Sequence, residues 1–530
     1  MTRQTHPQCD AVELEIFKHL FAAVAEEMGA RLMRSAYSPN IKERRDFSCA
    51  LFNATGEMLA QAEHIPVHLG SAPASVQAVL EAFEPASMQP NDRFILNDPF
   101  AGGTHLPDIT VLAPCVLPGE AVPRFFVANR AHHADIGGST PGSMPISTSI
   151  GEEGLRIPPT KLREDTVDWV CAHSRTPEER RGDLQAQLAA LQVGVVRLHE
   201  MCKRYGAELM SRRGHELTDY TEQIIRKTIA AIPDGRFSFE DVLDDDGHGT
   251  TDIAVRCKLT IAGDSAVVDF TASDDQVRGP VNAVSAITSS AVNYVFRCLA
   301  PPDIPSNAGI MRPVTVVTRP GSVLDALPPA AVAGGNVETS QRIVDVLLGA
   351  LAQALPDRIP AASSGTMNNL SIGGIDPRHD AAFAYYETIG GGAGAGPTRD
   401  GASGVHTHMT NTRNTPVEAL EHAYPVRIEA YSIRQGSGGA GKHRGGDGII
   451  RRLAFSEKAE VTLLADRRRH SPYGLRGGEP GAAGADILIS SDGTVKPLPG
   501  KCNITVEPGQ KLEIATPGGG GWGDAKAKPG

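Results

Sequence analysis

The stretch "NDPFAGGTHLPDITV", Asn97 to Val111, sets paired glycines and then His-x-x-Asp directly before an apolar run. Further on, "RAHHADIGG" (Arg130 to Gly138) repeats the theme: histidine, aspartate, paired glycines. The surrounding segments "DRFILNDPF", "ITVLAPCVL" and "RFFVANRAHH" are short apolar runs bounded by Pro and Gly, which is the pattern of β-strands. Both His/Asp clusters therefore fall at strand ends.

A divalent cation needs carboxylate oxygens and imidazole nitrogens converging within about 2.0–2.3 Å of one point. In "THLPD", Pro107 fixes one backbone angle and can aim His105 and Asp108 the same way. Gly102 and Gly103 let a backbone or substrate come close. His132, His133 and Asp135 could complete the shell from the second strand end, and Asp46 in "ERRDFSCALF" offers one more oxygen. Each piece has a plainer reading. His-x-x-Asp is more often a side-chain hydrogen bond than a metal site, and Asp98 before proline is expected to form an Asx-type turn. Spacing alone leaves a metal site level with a structural polar cluster.

Outward from this region the chain divides by pattern. "AVELEIFKHLFAAVAEEMGARLMRSAY" spaces Leu14, Phe17, Phe21, Val24, Met28 and Leu32 by three or four, predicting a helix that ends before Pro39. "DFSCALFNATGEMLAQ" predicts a hairpin turning at Asn53 to Gly56. "SAPASVQAVLEAF" predicts a helix with Ser71 as its cap. From Pro177, two amphipathic helices are expected to pack as a hairpin. After Pro233, "GRFSFEDVLDDDG", "TDIAVRCKLTI" and "DSAVVDFTAS" predict an antiparallel sheet. "ETSQRIVDVLLGALAQAL" predicts another helix, with Asn336 and Glu338 of "GGNVETSQR" as cap residues. Beyond residue 420 further strands and glycine-rich turns follow.

The fold class expected is α+β and multidomain. The parts are an N-terminal α/β metal-binding region (1–175), a helical hairpin (176–232), an antiparallel β region (233–330), a mixed α/β substrate-pocket region (331–420) and a β-rich C-terminal region (421–530).

The 530 residues exceed what one core usually serves. A net charge of −11 argues against a nucleic-acid surface. No apolar run is long enough for a membrane span, and the first residues lack the basic and apolar segments of a signal peptide. The eight cysteines are scattered singly, with no Cys-x-x-Cys pair. A cytoplasmic location with reduced thiols is expected. "GGGAGAG" (Gly390 to Gly396) lacks the lysine and helix of a phosphate loop.

"NDPFAGGTHLPDITV" with "ANRAHHADIGG" resembles the hydantoinase B/oxoprolinase family. The likeness continues through "PPAAVAGGNVETSQRIVDVLLGALAQALP", "HTHMTNTRNTPVEALE", "YPVRIEAYSIRQGSGGAGKHRGGDG", "PYGLRGGEPG" and "TPGGGGWGD", so it covers nearly the whole chain. It implies a divalent metal, zinc, manganese or iron, held by Asp46, His105, Asp108 and His132. His133 and Asp135 would orient a ligand, contact substrate or manage the proton of the attacking water. The choice between His132 and His133 as ligand stays open. The resemblance also implies a hetero-oligomer with an A subunit, an actin-like ATPase that uses ATP to phosphorylate the oxygen of a small cyclic amide. The B chain would then deliver metal-activated water.

The carboxylase branch of the same superfamily, acetone carboxylase-like, is the alternative reaction. A non-catalytic scaffold subunit is the alternative of another class. For the substrate pocket, "SGVHTHMTNTRNTPVE" offers His406, His408, Asn411 and Arg413, and "YYETIGGGAGA" offers Glu387. Neither a nucleic acid nor a membrane is an expected partner.

Overall fold

The computed structural model describes residues 11–62, 65–68 and 70–525. Its helices are α1 (Ala11–Ser35), α2 (Pro39–Lys42), α3 (Ala72–Ala82), α4 (Glu164–Ala172), α5 (Pro177–Tyr205), α6 (Ala207–Ala230), α7 (Ser285–Leu299), α8 (Ser340–Ala354) and α9 (Val417–Ala423). Together with four sheets they make an α+β protein.

The first sheet holds β1 (Phe47–Asn53), β2 (Met58–Gln61), β3 (Phe94–Leu96), β4 (Asp108–Cys115), β5 (Phe125–His132) and β6 (Thr160–Lys161). Their spatial order is β2-β1-β5-β4-β3-β6, all antiparallel. Every residue of β1, β4 and β5 is buried, because helices cover both faces. Alternate residues serve separate cores: Cys49 and Leu51 face α1 and α5, while Ala50 and Phe52 face α3. That double cover is why these strands read as continuous apolar runs. α1 buries Phe17, Phe21, Val24, Met28 and Leu32, one stripe at helical spacing.

Several expectations change here. Ser71 does not cap α3. Its own backbone is helical, and its hydroxyl donates to the Val67 carbonyl (3.1 Å). α5 and α6 are joined by Gly206 alone, at φ +90°, and α5 lies mainly along α1 rather than along α6. They are consecutive helices rather than a packed hairpin, since one linking residue is too short for the usual antiparallel turn.

The second sheet, β7 (Gly235–Asp245), β8 (Thr251–Ala262), β9 (Ser265–Asp269) and β10 (Val314–Val317), is antiparallel up to β9, but β10 pairs parallel to β9. A parallel return needs a crossover, and α7 lies in it. "SAITSSAVNYVFRCL" is rich in Ser and β-branched residues of modest helix propensity, so packing rather than propensity makes it helical.

The C-terminal half carries two more sheets. One joins β11 (Asn369–Asp376), β12 (Ala381–Glu387), β15 (Ala459–Leu464) and β18 (Lys501–Val506). The other joins β13 (Val426–Arg434), β14 (Gly448–Phe455), β16 (Ala485–Ile489), β17 (Val495–Leu498) and β19 (Lys511–Ala515). The main core runs from Phe17 to Leu464, drawing on residues on both sides of positions 175, 232 and 330.

The glycine-rich runs lie against one another, backbone on backbone. Gly392 N donates to Pro517 O (3.0 Å), Gly446 N to Ala393 O (2.9 Å), Gly519 N to Gly446 O (2.9 Å) and Gly439 N to Gly519 O (2.9 Å). A Cβ on Gly392 would lie 1.9 Å from Gly446 O, and one on Gly519 would lie 2.0 Å from Ala393 O. "GGGAGAG" is thus a packing segment in which Gly391, Gly392 and Gly394 have no room for a side chain.

Gly392→Ala should therefore destabilise the fold by about 2 kcal/mol or more, the scale of overpacking against an immovable backbone. Gly151→Ala, whose nearest neighbour is 3.9 Å away, should change little. Paired thermal-denaturation midpoints check this, and equal midpoints would refute the packing role.

Candidate metal centre

Register builds the site. β4 starts at Asp108 and β5 ends at His132, and the two residues pair directly across the strands. On the other side of β5, the His132 N–H donates to the Asp46 carbonyl (3.0 Å), just before β1. Three adjacent strand ends thus bring Asp46, His132 and Asp108 into one row. The "THLPD" turn adds His105, and Asn97 holds that turn by donating to Leu106 O (2.7 Å). Asp98 forms the expected Asx turn, accepting from Phe100 N (3.0 Å).

His105 Nε2 lies 3.0 Å, and His132 Nδ1 3.2 Å, from Asp108 Oδ1. One donor atom from each of the three buried residues lies within 4.8 Å of the others, a spacing that one cation could bridge, and Asp46 is not part of this cluster. The His105 Nδ1–H donates to Ala333 O (3.2 Å), which leaves the Nε2 lone pair facing the cluster. Glu153 fixes that carbonyl's segment by accepting from Val332 N (2.8 Å) and Ala333 N (3.0 Å). His132 Nε2 is buried with no partner among the described residues, an orphan that a cation or water would satisfy. A cavity of about 20 Å³ adjoins the cluster, lined in part by Asp46, His68, Asp108, His132 and Asn336. That is room for about one water. The donor set and the orphan nitrogen fit a divalent cation.

Burial alone would lift the Asp108 carboxyl, but the imidazoles of His105, His132 and His68 hold it well below the usual carboxylate range. Burial works against protonation of His105, yet Asp108 and Asp46 raise it. For His132 burial prevails and the ring is pushed down.

Three neighbours were not legible as site residues. His68 Nε2 sits 3.3 Å from Asp108 Oδ2, with its Nδ1 2.9 Å from Ser48 Oγ. Asn336 caps nothing: it lies in a π-helical turn, Gly335–Thr339, leading into α8. Its Nδ2 is 3.0 Å from His105 Nε2 and 3.3 Å from Asp108 Oδ2. π-turns recur at functional sites, but nothing local in sequence announces one. Glu338 likewise accepts from Met367 N and Asn369 Nδ2 rather than capping. Tyr386 of β12 stacks on His132 with ring centroids 4.4 Å apart, and its hydroxyl donates to Asn369 Oδ1 (2.7 Å).

Other expected residues sit elsewhere. His133 points to the opposite face of β5, where its Nε2 meets Gln187 Oε1 (2.9 Å) on α5. Burial, then Arg180, pushes it down to about 4. Asp135 is consumed by its loop, accepting from the N–H groups of Gly137, Gly142 and Arg175 and from the Arg175 guanidinium (3.0 Å). Neither lines the cavity.

Glu387 is locked to Arg451 (2.9 and 3.0 Å), fully buried. His408 turns towards Asp345 (3.6 Å) and Tyr294. Burial, then Arg44, pushes His406 down to about 4, and it is absent from the cavity lining. Asn411 and Arg413 face the surface, while their neighbours Thr410 and Thr412 face the cavity. The segment is extended, so alternate side chains point opposite ways.

Residues 10–525 match the family model described as hydantoinase B/oxoprolinase. The chain belongs to this family. A 5-oxoprolinase 1 from Arabidopsis thaliana is 41% identical over 97% of this chain, which spans only 42% of that relative's length. The crystal structure of an ATP-dependent caprolactamase from Pseudomonas jessenii superposes with a TM-score of 0.91 at 29% identity, covering 99% of this chain and 93% of that one. A nucleotide-free acetone carboxylase shares the fold at 20% identity and a TM-score of 0.89, covering 98% of this chain and 76% of that one. Among the described residues no helix is long and apolar enough to cross a membrane.

The brace behind His105 predicts a pH dependence. Burial raises the Glu153 carboxyl from 4.5 to about 7. The folded chain therefore keeps a proton that the unfolded chain releases. This contribution is fully present below pH 4.5, and stability falls by roughly 3 kcal/mol as pH rises to about 7. Glu153→Gln should flatten that slope in denaturant titrations at stepped pH. An unchanged slope would refute the protonated brace.

Proposed function

We propose that this hydantoinase B/oxoprolinase family chain is the metal-dependent B component of an ATP-dependent cyclic amide hydrolase. The ring amide would be activated by phosphorylation in a partner A subunit, an actin-like ATPase, and opened by water in the cavity described above. The observation that carries the reading is the buried convergence of His105, Asp108 and His132 beside a water-sized cavity. The relatives named as 5-oxoprolinase and caprolactamase support a lactam as the substrate class.

A ring amide is resonance-stabilised and resists neutral water. Phosphorylation of its oxygen supplies a leaving group, and the chain's task is to place water against the activated carbon. His105, Asp108 and His132 would hold a divalent cation whose Lewis acidity lowers the pKa of water. Zinc, manganese and iron all suit mixed imidazole and carboxylate donors. Asp46 lines the cavity and is the group placed to hold a proton there, in the role first expected of His133 or Asp135. Asn336, Thr410 and Thr412 supply hydrogen-bonding groups on the remaining walls.

Purified chain should contain close to one divalent metal, by elemental analysis. His105→Ala should lose most of that metal and about a hundredfold or more of activity, while Asn336→Ala should lose about 10–100-fold in metal affinity or activity. His133→Gln should keep its metal. The assay combines the partner ATPase, ATP and 5-oxoproline or hydantoin, and reads phosphate and open-chain product. Full metal and full activity in His105→Ala would refute the site. ATP use that depends on bicarbonate would replace the hydrolase with the carboxylase reaction.

A further inference from the structure

Two short segments form the wall between the metal cavity and the surface. Residues 44–47 and 409–413 are tied by Arg413 N donating to Arg44 O (3.0 Å). Towards the interior the wall presents Asp46, Met409, Thr410 and Thr412 to the cavity. Its outer side, bearing Arg45, Asn411 and Arg413, lines a groove of about 340 Å³, floored by Gly29, Ala30 and Met33 of α1 and by Phe47. The groove and the cavity are thus one chain thickness apart, with sequence neighbours facing each.

The groove has a definite chemistry. Its floor is apolar and its rim carries two guanidinium groups. Among the described residues neither the Arg45 nor the Arg413 guanidinium has a hydrogen-bond or ion-pair partner, although the chain carries a net charge of −11. Arg45 also holds a left-handed backbone, φ 57°, which is uncommon for a residue with a Cβ. That conformation turns Arg45 outward while Asp46, the next residue, stays inside. Backbone strain of this kind persists where the surrounding structure imposes it, and it clusters at functional sites. The volume falls at the small end of ligand pockets, about 300–1,000 Å³.

From this geometry we propose that the groove is the receiving site for a small ring bearing an oxyanion, with Arg45 and Arg413 binding the anion and the α1 floor taking the ring. The proposal rests on the cyclic amide reading and names the substrate class as anionic. Carboxylate and phosphoryl groups share the recognition chemistry, since a guanidinium fork suits both. The anion is therefore either a carboxylate on the ring or the phosphoryl group added during activation.

The test uses the double variant Arg45→Asn, Arg413→Gln, asparagine being a residue that tolerates the left-handed region. Titrated with inorganic phosphate, the isolated wild-type chain should bind at least about tenfold more tightly than the variant, two charge-assisted contacts being lost. In the complex with partner and ATP, KM for the ring should rise about tenfold or more, while kcat and metal content stay within about twofold, as expected for lost uniform binding. A rise for 5-oxoproline but not for the uncarboxylated hydantoin supports the proposal and assigns the anion to the ring carboxylate. A rise for both supports it and assigns the anion to the phosphoryl group. Equal phosphate affinity in the two proteins, or an unchanged KM for both rings, overturns it. If the wild-type complex opens no cyclic amide at all, the functional reading fails, and the phosphate titration still decides whether the groove binds oxyanions.

Discussion

The pairing of Asp108 with His132 across β4 and β5 is the constraint on which the centre depends. A carboxylate this deeply buried costs several kcal/mol unless partners surround it. Here three imidazoles, Thr104 and Asn336 converge on Asp108. A slip of one residue in that register would turn every side chain of one strand to the other face. It would exchange His132 for His133 and remove a nitrogen from the cluster. The first sheet resists such a slip because both its faces are packed, so either face would suffer.

The site is also a junction between sequence-distant parts. His105 is oriented through Ala333, and Ala333 through Glu153. Asn336 arrives on a π-turn before α8, and Tyr386 arrives from β12 to stack on His132. Each comes from outside the first sheet. The core that spans Phe17 to Leu464 makes this precision possible, because it packs these elements against one another. The glycine array acts similarly further out, replacing side-chain packing with direct backbone contact, and so explains a composition rich in glycine without a nucleotide loop.

The amphipathic helices and the first sheet were legible because their apolar spacing follows the helical or strand period. His105, Asp108 and His132 were legible because motif and strand end coincide. The residues that turn away from the cavity do so by side-chain alternation. His132 ends β5 and His133 is the next residue, so the two side chains leave on opposite faces, and the same alternation divides Thr410 and Thr412 from Asn411 and Arg413. The small threonines that line the wall are less conspicuous in sequence than the polar residues that face away from it. His68, Asn336 and Tyr386 were beyond reach for a different reason: tertiary packing, rather than local pattern, brings them to Asp108 and His132.

That alternation carries a functional consequence. In an extended wall one residue thick, each side chain belongs to one compartment, so the chain can present carboxylate and hydroxyl groups inward and cations outward from adjacent positions. Asp46 and Arg45 show the arrangement at its smallest scale, made possible by the left-handed turn at Arg45. The anionic substrate proposed above would be attracted to the outer face, whereas the cavity behind the wall gathers Asp46 and Asp108 and would repel it. A cation at His105, Asp108 and His132 offsets those two carboxylates. On this argument metal loading would neutralise the inner compartment, and so remove its repulsion of an oxyanion held at the proposed arginine site.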